Sequence, residues 1–425
     1  MRLRRKAQKT PTIEPAAKGC VETREQSDRL KPGSRRLPLK LETREPKGDR
    51  LKLREQSSRY KRVAQLPPIM FLFQVINPQE GQSLAQQLDS VEQQLYAWME
   101  LNGVSNSQLL FSRTHLSDAA NQQQAWEAHS LYQQILCEGA VSVIEQPAAG
   151  GEKVSLWVWF VKGQSLQKNG TPDRMVAQID GDTLYFQSVR LVGKAAQGLD
   201  GCQQTETAFQ QHCDWLQTMG LNLRDHCLRT WLYVRDIDRH YADVVRGRNN
   251  IFAREGLTRD THYIASTGIG GDTGKRETIV AVDFLSGRLA HGEIHQLQAL
   301  DYLNPTYEYG VAFERGTSFS VAGQRVHLLS GTASIDKYGE CVHRGDVVTQ
   351  AGRLLLNMEK LLNDSGATLA DLKYIVVYLR DIADIAAVRH YFRLRFPRLP
   401  RTMVMGRVCR PEWLIEVEGI AVTDL

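Results

Sequence analysis

A repeated order of secondary-structure elements most restricts how this 425-residue chain can fold. In its last part, the spacing of apolar residues predicts strand, helix, strand, helix and strand, and Asp346 is placed to cap the first helix. The same order occurs earlier in the chain. Tyr233-Val-Arg-Asp-Ile237 matches Tyr378-Leu-Arg-Asp-Ile382 at the same point of the pattern. The two stretches are therefore predicted to share one topology.

A third, fainter copy begins at Met70 and closes with Val154-Ser-Leu-Trp-Val-Trp-Phe160. Because sheets and helices must each bury a face, we predict an α+β fold of three tandem modules, each a small mixed sheet with two helices on one face. The alternative is two unrelated α+β domains joined by a linker. The predicted segments are a disordered basic tail, 1–68, and modules 69–165, 175–300 and 305–425.

The tail differs in composition from the rest of the chain. Residues 1–66 contain 20 Lys and Arg against 8 Asp and Glu, whereas the remaining residues contain 33 against 40. The tail has almost no aromatic residues and no apolar period, which predicts disorder. It also repeats one phrase, as in Arg24-Glu-Gln-Ser-Asp-Arg-Leu-Lys31. It is either a basic interaction arm or sequence upstream of a start at Met70.

Composition argues against several classes of protein. No apolar run approaches the roughly 18 residues that a membrane helix needs, and the N-terminus lacks the apolar core of a secretory signal. The seven cysteines form no C-x-x-C pair, and the histidines lack ligand spacing. We therefore expect a cytoplasmic protein without a metal, a cofactor, a membrane contact or a specific nucleic-acid partner.

Four motifs of the last module occur in a characteristic order, and they are Ser330-Gly-Thr-Ala-Ser-Ile335, Tyr378-Leu-Arg-Asp381, Pro400-Arg-Thr402 and Ile415-Glu-Val-Glu-Gly-Ile-Ala421. In this order and spacing the module resembles the RidA/YjgF family, also called endoribonuclease L-PSP. Its members are similar to chorismate-mutase-like subunits that trimerise, with sites in the clefts between subunits. The resemblance therefore implies a pseudo-trimer within one chain, alone or in a higher homo-oligomer.

The RidA resemblance also implies site residues. In such clefts an arginine binds the substrate carboxylate and a glutamate near the C-terminus places water or a proton, and these roles fall on Arg401 and Glu416. The aromatic residue over the cleft falls on Tyr309. The turn expected to contact the substrate consists of Ser330, Gly331 and Thr332.

A second resemblance rests on Ser330-Gly-Thr-Ala-Ser-Ile335, on His343-Arg-Gly-Asp346 and on Val408-Cys-Arg-Pro-Glu-Trp-Leu-Ile-Glu416. These segments look like the chorismatases, which are built from Rid-like modules and split pyruvate from chorismate without a cofactor. This resemblance implies that Glu416 is catalytic, that Arg389 binds substrate and that Cys409 influences the product. The middle module fits that family only in part, at Arg246-Gly-Arg-Asn249 among other places.

The chemistry of these residue types supports both resemblances. A guanidinium pairs with a carboxylate through two hydrogen bonds, so an imino acid needs one arginine and chorismate, with two carboxylates, would use two. Strand alternation places Glu416 and Glu418 on the face opposite Ile415 and Val417. Burial would raise the pKa of Glu416, whereas a nearby arginine would lower it.

Each of these residues also has a purely structural interpretation. Arg401 and Arg389 could cover apolar surface with their stems, and the two glutamates could lie on the surface. Arg380, at a strand end, is a weaker candidate for substrate binding and could pair with Asp381 instead. Cys409 has no neighbouring His in the sequence, which argues against a nucleophilic role.

We therefore expect a cofactor-free hydrolase or deaminase of the Rid type that acts on a small enamine, imine or related carboxylate in a cleft between modules. Arg401 would hold the carboxylate and Glu416 would handle the proton or water. Met403 departs from the pattern of the family's deaminases, which typically have Cys or Ser at that position. The first alternative is cleavage of chorismate to pyruvate and a dihydroxycyclohexadiene or hydroxybenzoate carboxylate. The second is a non-catalytic ligand-binding or interaction protein.

Overall fold

The computed structural model describes residues 69–163, 166–290 and 292–425, apart from the side chain of Tyr309. The predicted tail, 1–68, lies outside the described residues. Within them the chain forms three mixed sheets with helices, which confirms the α+β class. No helix in the described ranges is long and apolar enough to cross a membrane.

The first sheet is formed by elements between residues 70 and 162. They are β1 (Met70–Ile76), α1 (Leu84–Asn102), β2 (Leu109–Leu116), α2 (Ala119–Ala128), β3 (Ala140–Glu145) and β4 (Val154–Lys162). The strand order is β1-β4-β2-β3, and only β2 and β3 are parallel. Helix α2 ends at Ala128 because the backbone of His129 is extended, and a π-helical turn follows at Leu131–Ile135.

The second sheet begins directly after the first. Its elements are β5 (Leu166–Thr171), β6 (Arg174–Ile179), β7 (Asp182–Arg190), α3 (Gly201–Thr218), α4 (Leu223–His226), β8 (Cys227–Val234), α5 (Ile237–Arg254), β9 (Ala265–Gly270) and β10 (Val280–Arg288). The strand order is β5-β6-β7-β10-β8-β9. Strands β8 and β9 are parallel, like β2 and β3.

The third sheet occupies the C-terminal part of the chain. Its elements are β11 (His295–Gln296), β12 (Gly316–Val321), β13 (Gln324–Thr332), α6 (Val347–Asn363), β14 (Leu372–Leu379), α7 (Ile385–Arg395), β15 (Arg401–Met405) and β16 (Ile415–Asp424). The strand order is β11-β12-β13-β16-β14-β15. Asp346 caps α6 as predicted, because its side chain accepts a hydrogen bond from the backbone N–H of Thr349.

The same four-strand order recurs in all three sheets, as β1-β4-β2-β3, β7-β10-β8-β9 and β13-β16-β14-β15. In each, the closing antiparallel strand begins opposite the last residue of the strand that precedes the second helix. Residues of the three closing strands can therefore be matched by counting from that point. The residues at the position of the predicted catalytic glutamate are Ser155, Ala281 and Glu416.

The sheet boundaries differ from the predicted module boundaries. Strand β5 pairs with β6, so the second sheet starts before residue 175. Strand β11 pairs with β12, so the third sheet starts before residue 305. Both are polar edge strands, and neither shows the apolar alternation on which the prediction depended.

The three sheets pack together through the faces that do not carry helices. Along β4, Val154, Leu156, Val158 and Phe160 belong to the cluster under α1, whereas the alternate residue Trp157 points to the other sheets. Trp157 stacks on Tyr374 of the third sheet, with ring centroids 4.5 Å apart. Phe111 of β2 stacks on Phe186 of β7 at 5.6 Å. The three sheets therefore share one continuous hydrophobic core.

Candidate active site

Glu416 and Glu418 lie on one face of β16, as the alternation predicts. Glu416 is opposite Tyr378 on β14, and Glu418 is opposite Val376. Both glutamates are buried, with 4% of each residue exposed. A position on the surface is therefore excluded, and each carboxyl group must be stabilised by its neighbours.

Glu418 is surrounded by hydrogen-bond donors from three sheets. They are Arg229 Nη2 at 2.8 Å, Thr267 Oγ1 at 2.5 Å, Trp231 Nε1 at 3.0 Å and Tyr378 Oη at 3.0 Å, with Arg113 Nη1 3.7 Å away. Because every one of these groups donates, and two are guanidinium cations, the arrangement fits an ionised carboxylate. Glu418 is therefore a buried negative charge next to Glu416.

Glu416 is in a very different environment. Burial raises the pKa of Glu416 to about 8, and the negative charge of Glu418 adds to the increase. The positive charges of Arg229 and Arg315 lower the pKa of Glu416, but by less than burial and Glu418 together raise it. Glu416 is therefore protonated at neutral pH and able to donate a proton.

A small cavity between the second and third sheets contains the Glu416 side chain. Its volume is about 40 Å³, enough for a water-sized group. Tyr241, Arg248 and Ser266 line the side of the second sheet, whereas Arg315 and Glu416 line the opposite side. The cavity thus combines one acid with two buried arginines, Arg248 and Arg315, and a third, partly exposed arginine, Arg410.

Arg248 and Arg315 were not identified from the sequence. They are 2% and 8% exposed, and their guanidinium carbons lie 6.0 and 5.5 Å from the ring centroid of Phe313. Arg315 also donates to the carbonyl oxygen of Asn304 at 3.0 Å. One signal could have revealed Arg248, because it falls in the apolar stripe of α5 between Val244 and Ile251.

Because Gly331 has no side chain, the carboxyl group of Glu416 can occupy the space beside it. A methyl group on Gly331 would overlap Glu416 Oε1. The backbone N–H of Gly331 donates to Thr267 Oγ1 at 2.9 Å, and the same hydroxyl donates to Glu418. Gly331 therefore borders Glu416 because it lacks a side chain, and its backbone N–H bonds to the second sheet.

Arg401 lies in a different cavity from Glu416. Its Nη1 donates to the carbonyl oxygens of Phe396 at 2.7 Å and Leu399 at 3.3 Å. This second cavity, of about 330 Å³, is also lined by Arg389 and Asn77. It lies between the third and first sheets, so the expected meeting of Arg401 with Glu416 is wrong.

Strand geometry explains why the two side chains do not meet. Arg401 is opposite Ile375 on β14, whereas Glu416 is opposite Tyr378 on the same strand. Ile375 and Tyr378 are three residues apart, and neighbouring strand residues alternate between faces. Arg401 and Glu416 therefore point to opposite faces of one sheet.

Other predicted site residues bond to the protein itself. The Ser330 hydroxyl donates to the carbonyl oxygen of Glu314 at 2.6 Å and accepts from the backbone N–H of Ser266 at 2.9 Å. The Thr332 hydroxyl donates to the carbonyl oxygen of Ser330 at 2.9 Å. The Ser330 hydroxyl therefore links the second and third sheets, whereas the Thr332 hydroxyl bonds within its own strand.

Arg380 and Cys409 also differ in their placement. Arg380 forms two hydrogen bonds, of 2.9 and 3.0 Å, with Asp238 rather than with Asp381, and it lies outside the Glu416 cavity. Cys409 lines that cavity, and burial raises the pKa of its thiol to about 12. A protonated thiol is a poor nucleophile. The Tyr309 side chain lies outside the described structure.

The described residues contain no group of three or more His, Cys, Asp and Glu arranged to hold a metal ion.

Comparison with known proteins identifies the class of fold. A crystal structure of a chorismatase has a TM-score of 0.58 and 19% identity to this chain, and the match covers 84% of this chain and 99% of that one. The three-sheet fold is thus a chorismatase-like fold. Residues 312–423 match the family described as Endoribonuclease L-PSP.

Two relatives define the family more closely. The 3-aminoacrylate deaminase RutC of Acinetobacter baylyi is 30% identical over 95 residues, which are 22% of this chain and 75% of that protein. A chorismatase of Streptomyces rapamycinicus is 28% identical over 211 residues, 45% of this chain and 63% of that protein. The chain belongs to the RutC family, the RidA or endoribonuclease L-PSP proteins, as the sequence motifs predicted.

Proposed function

We propose that the chain is an enzyme that cleaves a small enol-ether dicarboxylate, with Glu416 as the proton donor and Arg248 and Arg315 as the carboxylate-binding groups. The observation that carries the proposal is that one cavity holds these three buried side chains. An acid that keeps its proton near neutral pH suits general acid catalysis. Each guanidinium can hold one carboxylate through two parallel hydrogen bonds.

Chorismate is the substrate that fits this arrangement best. It has two carboxylates, which two arginines can bind, and an enolpyruvyl ether, which an acid can protonate. The partial identity with a chorismatase supports the same choice. A monocarboxylate imino acid would need only one arginine, so the second buried cation favours the dicarboxylate.

The reaction can be written with these groups alone. Glu416 donates its proton to the methylene carbon of the enolpyruvyl group, and the neighbouring carbon becomes a cation stabilised by the ether oxygen. Water adds to that carbon and returns a proton to the Glu416 carboxylate. The bond from that carbon to the ring oxygen then breaks, the ring oxygen takes a proton, and pyruvate and a dihydroxycyclohexadiene carboxylate leave.

The size of the cavity adds a requirement. A volume of about 40 Å³ holds no more than a water-sized group. The side chains that close it, among them Phe313 and Trp413, must therefore move apart when a substrate enters. Slow opening would limit the rate of turnover even if the chemistry is fast.

Three tandem Rid-like modules, arranged as a pseudo-trimer, are part of the proposal. The recurrence of one strand order in three sheets supports it, with modules near 70–162, 166–288 and 295–424. At the position of Glu416 the other two sheets have Ser155 and Ala281. Only the cleft that contains Glu416 would then have an acid at this position. The cleft that contains Arg401 could bind a carboxylate ligand without cleaving the ligand.

Deamination of an enamine or imine is the second candidate. The identity with the 3-aminoacrylate deaminase RutC favours it. The separation of Arg401 from Glu416 counts against it, because the expected pair of carboxylate clamp and acid does not share a cavity. A role in ligand binding without catalysis is the remaining alternative.

One experiment distinguishes these functions. Purified protein is incubated with chorismate and pyruvate is assayed, and in parallel ammonia release is assayed from a freshly generated enamine such as 3-aminoacrylate. We expect pyruvate release that is lost in Glu416→Gln and kept in Glu340→Gln, a matched change at an exposed glutamate. Ammonia release without pyruvate supports the deaminase, and neither product supports ligand binding alone.

A further inference from the structure

The hydrogen bonds around Glu418 are not explained by catalysis at Glu416. It lies two residues after Glu416 on the same strand face, yet it lines no part of the Glu416 cavity. Four hydrogen bonds reach its two oxygens, from Arg229, Thr267, Trp231 and Tyr378. The carboxylate of Glu418 is therefore held by donors of the second and third sheets.

The groups around Glu418 all act as donors to its carboxyl oxygens. Trp231 Nε1 and the guanidinium of Arg229 can only donate, so a protonated Glu418 would have to turn its own hydrogen toward another donor. Arg113 adds a second cation at 3.7 Å. Both oxygens of the Glu418 carboxylate are therefore held in position by donors.

We propose that Glu418 is a positioning residue that acts through Glu416: its fixed charge keeps the neighbouring acid protonated and thus able to donate. This inference rests on the proposed function, in which Glu416 is the proton donor. It assigns to Glu418 an electrostatic role without contact to the substrate.

The charges that face Glu416 from other elements must be weighed against this one. Arg229 on β8 and Arg315 before β12 both lower the pKa of Glu416. Arg248 on α5 and Arg410 before β16 line the same cavity. Tyr241 on α5 and Cys409 before β16 are neutral, because burial raises the pKa of each. Arg229 is already hydrogen-bonded to Glu418, so the negative charge of Glu418 offsets the nearest cation.

The second sheet offers a matched control at the same position. Counting along the closing strands, Asp283 on β10 corresponds to Glu418. Asp283 is equally buried and pairs with Arg113 at 3.2 Å and Arg190 at 2.7 Å. Ala281 stands two residues before it, so no acid occupies the position that Glu416 has relative to Glu418, and Asp283 shows that a buried carboxylate with many donors can also be purely structural.

The test compares Glu418→Gln with Asp283→Asn in the full-length protein. Each change removes a buried carboxylate, so both should lower stability. Like carboxylates about 7 Å apart on a strand interact by about one to two pKa units at an effective dielectric constant of about 20. We therefore expect Glu418→Gln to move the alkaline fall of pyruvate release to lower pH by one to two pH units, and Asp283→Asn not to move it.

A measurement without turnover separates this inference from the proposed function. ¹³C NMR of glutamate-labelled protein follows the titration of Glu416 directly, with Glu416→Gln assigning its signal. We expect the wild-type signal to titrate near pH 8, to shift down in Glu418→Gln and to shift up in Arg229→Gln, which removes the opposing cation. A wild-type Glu416 that is ionised at pH 7, or unchanged titration in Glu418→Gln, overturns the inference. A shifted titration without pyruvate release rejects the proposed function alone.

Discussion

The buried acid predicts how stability depends on pH. In the unfolded chain Glu416 ionises with a pKa near 4.5, whereas in the folded protein its pKa is about 8. The folded state therefore binds more protons than the unfolded state between these pH values. The stability that the neutral acid provides is complete below about pH 4.5 and is lost as the pH rises through 8.

The size of this effect follows from the same two values. Each pKa unit corresponds to about 1.4 kcal/mol, so the difference between 4.5 and 8 amounts to about 5 kcal/mol in total, and about 4 kcal/mol of it falls between pH 5 and pH 9. In Glu416→Gln the side chain is neutral at every pH. The variant should therefore match wild type at pH 5 within ~1 kcal/mol and exceed its free energy of unfolding by about 4 kcal/mol at pH 9.

Urea unfolding at pH 5, 7 and 9 measures this difference, with Glu340→Gln as the control for changing an exposed glutamate. The free energy of unfolding of the control should follow wild type at each pH. If the difference between Glu416→Gln and wild type stays constant from pH 5 to pH 9, Glu416 is not a neutral acid in the folded protein. The assignment of the proton donor would then fail with it.

Three further predictions concern the residues around the site. Gly331→Ala would place a methyl group against Glu416 and should lower the free energy of unfolding by about 1–3 kcal/mol and abolish pyruvate release, measured by urea unfolding and the pyruvate assay. Arg315→Leu should raise KM for chorismate at least tenfold and move the alkaline fall in rate to higher pH, because a cation that lowers the pKa of Glu416 is removed. Arg401→Ala should leave kcat/KM for chorismate within twofold, since Arg401 lies in another cavity; a tenfold loss would contradict the separation of the two cavities.

Much of the fold could be predicted because its signals are local. The spacing of apolar residues predicted the repeated order of strands and helices, and period 2 alone placed Glu416 and Glu418 on one face of their strand. The strands at sheet edges, β5 and β11, were missed because half-exposed polar strands need no apolar period.

The composition of the site could be predicted only in part, for a geometrical reason. Arg401 and Glu416 stand in neighbouring motifs of one module, yet the sheet separates their side chains. The cations that do reach the Glu416 cavity, Arg248 and Arg315, come from a helix of the second sheet and from the chain that leads into β12. Distances between separate elements are set by packing of whole sheets, which no local pattern reports.

The unequal residues at equivalent positions have a consequence for how this protein can change. In an assembly of three identical subunits, one codon alters three clefts at once. In this chain the equivalent position of each sheet has its own codon, and the three residues are Ser155, Ala281 and Glu416. Each cleft can therefore acquire or lose a ligand by mutation while the other two keep theirs.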